Sequence, residues 1–244
     1  MISASWLKNA KTWMGVGFGV WLCILPLAAI AIEFKPPRRS LPGRREGGGT
    51  RGPACVQGSP NLTVLLPQTN LGLTTAEYPQ FFWFTPKTLA KSMQFTLYRG
   101  TEQDPTQEIV YATTLNTPAQ SGVTGLTLPK NAKVPPLSVG RDYYWTVSLL
   151  CQPDDPTKNI EAEGWIQRVP VAPALAEDLK VVKPGDRPQL YAQNGIWFET
   201  LSTLAELRCA DTRSSALTKS WSQLLSSAKL DRLAGQPLSQ VCQK

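Results

Sequence analysis

Between Asn61 and about Val171 the chain is cut into seven short β-branched and aromatic runs by Pro, Gly and Asn, and that rhythm narrows the fold more than any other feature. The runs cover 62–66, 80–84, 93–99, 108–115, 123–128, 142–151 and 160–170. Seven short strands at such spacing predict a β-sandwich. Alternation is clearest in Gln94-Phe95-Thr96-Leu97-Tyr98 and in Tyr143-Tyr144-Trp145-Thr146-Val147-Ser148-Leu149, where every second residue is large and apolar, so one face of each is buried. No helical crossover lies between the runs, which predicts antiparallel pairing. The stretch from Leu137 to Val147, a Leu-x-x-Gly turn leading into Tyr-x-Trp-x-Val, resembles the late strand of fibronectin type III and related immunoglobulin-like sandwiches.

After Val171 the period changes. Helices are predicted over 173–181, 188–193, 195–208 and 214–228, with Leu201, Leu204, Ala205 and Leu207 on one side of the third and Trp221, Leu224 and Leu225 on one side of the fourth. A short extra helix is expected within 231–241. Residues 191–201 resemble the turn of a tetratricopeptide repeat, but no second copy follows and a solenoid needs about three repeats. A helical unit packed on an immunoglobulin-like antiparallel sandwich is therefore the expected fold.

The N-terminal 31 residues read as a secretory signal: Lys8 and Lys11 form a positive region, 13–25 an apolar core, and Ala29-Ile30-Ala31 a small-residue cleavage site. The apolar run is interrupted by Gly15, Gly17, Gly19 and Pro26 and is shorter than the ~20 residues that span a bilayer. Cleavage after Ala31 leaves about 213 residues, with segments 32–54 (a basic Pro/Gly/Arg-rich arm), 55–171 (the sandwich) and 172–244 (the helical unit). Losing Lys8 and Lys11 takes the formal charge from +7 to +5, and the arm holds most of the remainder. With no apolar periodicity, this arm is expected to be a solvated tether or a loosely docked strand. It lacks the Gly-Lys-Ser/Thr ending of a nucleotide-binding loop.

Cys55, Cys151, Cys209 and Cys242 survive processing, and an even count in an exported chain predicts two disulfides among three pairings. Pairing Cys55 with Cys151 and Cys209 with Cys242 keeps each bond inside one predicted unit. The sequence contains no histidine, which removes Ser-His-Asp and Cys-His activation and the usual general base at neutral pH. The carboxylates Asp154, Asp155, Glu161 and Glu163 do not match a calcium loop, and no metal or cofactor is expected. Asn61-Leu62-Thr63 is a formal glycosylation site.

Several stretches together are similar to an uncharacterised family of exported cyanobacterial proteins defined by a domain of unknown function. They are Arg44-Arg45-Glu46-Gly47-Gly48-Gly49-Thr50-Arg51-Gly52 with Cys55, then Thr69-Asn70-Leu71-Gly72-Leu73-Thr74, then Pro79-Gln80-Phe81-Phe82-Trp83-Phe84. Tyr143-Tyr144-Trp145, Cys151, Glu163-Gly164-Trp165-Ile166-Gln167-Arg168-Val169 and the 191–208 helix start complete the match. The resemblance implies no activity or site residues. It departs at Gln80, where the family has a small polar residue, and at Cys209 and Cys242.

These readings lead to an exported, periplasmic or secreted, non-enzymatic accessory protein that binds another envelope protein. The alternative is a glycan- or envelope-polymer-binding module. Contact candidates are Arg44, Arg45 and Arg51 of the basic arm, facing an anionic surface or acidic polymer, and Phe82 and Trp83, since alternating aromatics face opposite ways and one side is expected to be exposed. Nucleic acid is not an expected partner, and a hydrolase using carboxylates or a Ser-Lys pair is the weakest reading.

Overall fold

The structure, a computed structural model, describes residues 32–48, 55–100, 108–131, 133–152, 154–238 and 240–242. The leader 1–31 and Arg51 lie outside the described residues. Eight strands form two sheets: β1 (Thr63–Val64), β3 (Gln80–Thr85) and β6 (Gly122–Thr127) in the order β1-β3-β6, and β2 (Leu71–Thr74), β4 (Ser92–Arg99), β5 (Glu108–Asn116), β7 (Asp142–Leu149) and β8 (Ile160–Arg168) in the order β2-β8-β7-β4-β5. The expected sandwich is present, followed by α1 (Pro173–Val181), α2 (Arg187–Gln193), α3 (Trp197–Ala210) and α4 (Ser215–Ser227).

One pairing differs from the all-antiparallel expectation: β2 runs parallel to β8, with Leu71 opposite Trp165 and Thr74 opposite Arg168. β2 escaped the sequence reading because it has four residues, includes Gly72, and lacks a β-branched run. Its partner lies far along the chain, so no local connection constrains its direction.

The alternation read in β4 and β7 is the one observed. Phe95 sits opposite Val147 and Leu97 opposite Trp145, all buried, while Thr96 faces Thr146 and Tyr98 faces Tyr144 on the other side. Phe81 and Trp83 of β3 meet this layer, with Phe81 at 4.9 Å from Phe95 and 5.1 Å from Trp145 between ring centroids. Trp83, Trp145, Trp165, Trp197 and Trp221 are all at most 1% exposed. Truncating any one to Ala would remove one of the largest units of apolar burial in the molecule, a change that typically costs about 3–5 kcal/mol.

A single apolar cluster contains Phe81, Trp83 and Trp145 of the strands together with Trp197, Leu201, Trp221 and Leu224 of the helices. The change of period near residue 171 thus marks a change of secondary structure within a shared core. Phe82 and Phe84, which alternate to the opposite face of β3, are also buried, at 1% and 2% exposure. The reason is that the three-stranded sheet is covered on both sides: Gly125, opposite Phe82 in β6, faces Val241 of the C-terminal tail, and the Val123 amide donates to Pro237 O at 2.8 Å.

The arm is the largest departure from expectation, because residues 32–48 are docked along their length. Ile32, Phe34 and Leu41 are buried, and the Phe34 ring meets Trp197 edge-on at 4.6 Å. The Lys35 amide donates to Ala192 O at the end of α2, and the Leu41 amide donates to Thr69 O. Consecutive carbonyls then lace the two sheets together: Arg44 O accepts from the Glu163 amide of β8, and Arg45 O accepts from the Val64 amide of β1. The Gly47 amide donates to Leu62 O, and a Cβ at Gly47 would stand 2.5 Å from Ile160 Cγ2. Backbone pairing needs no apolar periodicity, so the composition concealed this strap.

Arg45 completes the junction. Its Nη1 donates to Leu66 O at 2.7 Å and to Ala228 O, the C-cap of α4, at 2.9 Å. Burial, and then the neighbouring Arg232 charge, pull its guanidinium below the usual arginine range. A cation at a helix C-terminus is favourable, by up to about 2 kcal/mol when partly buried. We predict that Arg45→Ala lowers stability in urea by about 2–3 kcal/mol with the disulfides intact, since it orphans two partly buried carbonyls. Arg44→Ala, which removes an exposed side chain, should stay within about 0.5 kcal/mol of the parent.

Candidate functional site

Among the described residues the predicted contact candidates, Arg44, Arg45, Phe82 and Trp83, do not form one surface. Phe82 and Trp83 lie in the core and Arg45 is built into the strap, while Arg44 presents its side chain to solvent and holds Glu163 through its backbone. The four cysteines pair as Cys55 with Cys151 and Cys209 with Cys242, at Cα separations of 5.5 and 5.3 Å. The acidic residues of the 154–163 region are dispersed. Asp155 accepts from Thr157 N and Oγ1, which holds its carboxyl below the ordinary range. Glu161 accepts from Ser148 Oγ, and Glu163 accepts from the Tyr144 hydroxyl and the Arg44 amide.

A site takes shape instead where α3 crosses the rim of the three-stranded sheet. Gly195, at φ +72°, turns the chain out of α2, and a Cβ there would stand 2.9 Å from Lys35 O. Three consecutive residues then fix the new helix in three directions. Trp197 Nε1 donates to Leu65 O at 2.8 Å. The Phe198 ring rests against Gly72, where a Cβ would stand only 2.5 Å from it. Glu199 reaches the loop after β2, its Oε1 accepting from Thr74 Oγ1 at 2.9 Å, the Thr75 amide at 2.7 Å, Thr75 Oγ1 at 2.9 Å and the Ala76 amide at 2.8 Å. A carboxylate in the first turn also suits the positive end of the helix dipole.

Glu199, Ser202, Glu206 and Cys209 follow the 3-4-3 spacing of one helical face, and this face forms one wall of a groove. The other wall is Tyr78, Gln80 and Thr127, the last two being cross-strand partners in β3 and β6. The groove comprises a cavity of about 200 Å³ beside Glu199 and one of about 420 Å³ beside Cys209, Val241 and Cys242, which share Gln80, Thr127 and Glu206. The Cys209–Cys242 bond therefore fixes the tail as the far wall. Gln80, Cys209 and Cys242 all line it.

The groove is acidic. Glu199 Oε2 is shielded from solvent and has no hydrogen-bond partner among the described residues. Its charge reaches Tyr191, whose hydroxyl is raised in pKa first by burial and then by Glu199, against a lowering influence of Arg187. Among the described residues neither Glu199 nor Glu206 belongs to an ion pair. The Arg168 guanidinium beside the 74–77 loop is engaged by Leu137 O, Thr75 O and Glu77.

A second surface lies on the outer face of the five-stranded sheet, where Tyr98 and Tyr144 are half-buried cross-strand neighbours with ring centroids 5.8 Å apart. Trp165 continues the row at 5.2 Å from Tyr144, but Leu41 packs on it and its Nε1 donates to Pro42 O at 2.8 Å. Burial, and then donation to Glu163, push the Tyr144 hydroxyl well above its ordinary pKa. An unfolded tyrosine ionises near pH 10. The stabilisation is full below that pH and is lost as pH rises above it, because only the unfolded state gains the tyrosinate. Unfolding free energies measured across the alkaline range should fall less steeply for Tyr144→Phe than for the parent.

Glu199 and Glu206 were not anticipated from the sequence. The one local signal was an acidic residue three positions after Asn194-Gly195-Ile196, in the first turn of a predicted helix. A family model described as Domain of Unknown Function (DUF928) matches residues 46–238, from inside the strap to the tail that covers β6. No curated protein matches the chain significantly.

Proposed function

The chain belongs to the Domain of Unknown Function (DUF928) family, and we propose that this member is an exported, non-enzymatic accessory protein that binds another envelope protein through the groove between α3 and the β3–β6 rim. The carrying observation is the groove itself, two contiguous cavities whose walls are fixed by the Glu199 contacts and the Cys209–Cys242 bond. Fixed walls limit the ordering cost of binding, which favours recognition of a partner segment. Export is supported by the signal-like N-terminus and by two disulfides, which persist in oxidising compartments. No helix among the described residues is long and apolar enough to cross a membrane. The absence of histidine supports a binding role over acid–base catalysis.

A second reading, binding of an envelope glycan, draws on the Tyr98–Tyr144 pair, whose polar surroundings on the same sheet face include Gln94, Thr96, Thr146 and Ser148. Tyrosine combines an apolar ring with a polar tip, which suits a sugar.

Cross-linked affinity capture from envelope extract with the oxidised protein separates the readings. Groove binding predicts one dominant protein that is lost with Glu206→Arg and retained with Tyr98→Ala. Recovery of polysaccharide, lost with Tyr98→Ala and retained with Glu206→Arg, would establish the second reading instead. Recovery insensitive to both substitutions would contradict both.

A further inference from the structure

We propose that β5 is a self-association edge: two copies of this chain pair antiparallel along it, about a twofold axis at Thr113, and join their five-stranded sheets into one. The inference goes beyond both binding readings and depends on neither.

Three of the four outer strands of the sandwich are covered by other parts of the chain. The strap covers β1, through the Val64 amide to Arg45 O and the Glu46–Thr63 bridge. The tail covers β6, through the Val123 amide to Pro237 O, and α3 lies against β2 with the Phe198 ring on Gly72. β5 differs, because among the described residues its backbone is bonded to β4 alone. Residues 109–116 contain no charge and no proline, the residues that ordinarily keep a sheet edge from accepting another strand. One bulge is present: Tyr111 faces Leu97 and Ile109 faces Tyr98, so Val110 is the extra residue and the ladder beyond it, 111–116, is regular.

The open backbone groups can be assigned. The Thr117 amide donates to Lys91 O, and the Leu150 amide donates to Ser92 O. Bonded and unbonded pairs alternate in an antiparallel ladder, so Tyr111, Thr113 and Leu115 bond to β4. The N–H and C=O of Ala112 and Thr114 therefore point away from the sheet, and both residues are exposed. A second β5 satisfies them when Ala112 of each copy lies opposite Thr114 of the other, with Thr113 on the axis.

Side chains favour the same register. Tyr111, Thr113 and Leu115 are half-buried, although their β4 partners Leu97, Phe95 and Met93 are fully buried. Twofold pairing sets Tyr111 of each copy against Leu115 of the other, on either side of a Thr113–Thr113 pair, and both kinds of cross-strand pair are favourable. Moving the axis to Ala112 would draw the bulged Val110 into the ladder, and a slip of one residue would set core-facing side chains against outward-facing ones. Glu108, the strand's one charged residue, is held by Arg99 outside the paired segment, so no like charges meet. This self-complementarity selects a second copy over an unrelated strand, and a twofold contact closes without further growth. An interface confined to one edge is small, so the association is weak. Both Tyr98–Tyr144 pairs come to lie on the same face of the joined sheet.

Sedimentation of the oxidised protein over a range of concentrations is the test, with amide exchange at Ala112 and Thr114 as the local readout. A monomer–dimer equilibrium is expected, with both amides slowing as the dimer forms. Thr114→Pro removes an edge donor that β4 does not use, and should weaken dimerisation at least about tenfold with the monomer still folded. The register is read by two double variants at exposed positions. Ala112→Lys with Thr114→Lys sets like charges directly opposite and should weaken the dimer about tenfold at low salt, whereas Ala112→Lys with Thr114→Glu sets opposite charges together and should hold or strengthen it. If Thr114→Pro does not fold, the two double variants decide.

A parent that stays monomeric up to about 1 mM would overturn the inference. So would a dimer that a folded Thr114→Pro leaves intact, one that responds equally to the two double variants, or one that leaves exchange at Ala112 and Thr114 unchanged.

Discussion

Two successive carbonyls, Arg44 O and Arg45 O, accept amides from different sheets, and the seam of the sandwich is closed at that point by chain from outside it. The sandwich is lopsided, with three strands facing five, and β1 is only two residues long. Without the strap, the Glu163 and Val64 amides would need other acceptors, and unpaired backbone groups are scarcely tolerated in an interior. The Arg45 side chain extends the same junction to the C-cap of α4, while Glu46 pairs with Arg232 in the turn that follows that helix. Strap, strands and helices consequently depend on one another, and the continuity of the apolar cluster from Phe81 to Trp221 is the packing counterpart of that dependence.

This arrangement sets the groove. α3 is positioned by Trp197 against Leu65, Phe198 against Gly72 and Glu199 against the 74–76 loop, and Phe34 of the strap packs on the same Trp197. Rotation of α3 about its axis would break three dissimilar contacts together. The Cys209–Cys242 bond adds a covalent limit at the other end of the helix, and a loop of this size contributes roughly 3–4 kcal/mol in the chain-entropy account. The carboxylates therefore face the β3–β6 rim from a fixed helix, a condition for selective rather than adaptive binding.

Much of this was legible because it is local. Period-two alternation identified β4 and β7, and the change to helical spacing placed α1 and α4 closely. Keeping each disulfide within one unit gave the observed pairing. What escaped is non-local. β2 is short and glycine-containing, and it is defined only by β8. The strap binds through backbone groups, so its Pro, Gly and Arg composition resembled a tether. Phe82 was expected on a half-exposed sheet because one strand cannot reveal that helices and tail cover its second face. Glu199 gains its meaning from Thr74, Thr75 and Ala76, more than 120 positions earlier.

The mutual dependence of strap, sandwich and helices is the central claim, and native-state hydrogen exchange reads it directly. The amides of Lys35 and Gly47 in the strap, Val64 in β1 and Leu230 after α4 all donate to backbone carbonyls of other segments or turns. If the three parts form one unit, these amides exchange with opening free energies close to those of the Phe95 and Val147 amides in the central strands. Near-unprotected exchange at Lys35 and Gly47, with full protection persisting at Phe95 and Val147, would show that the strap is dispensable and contradict the account.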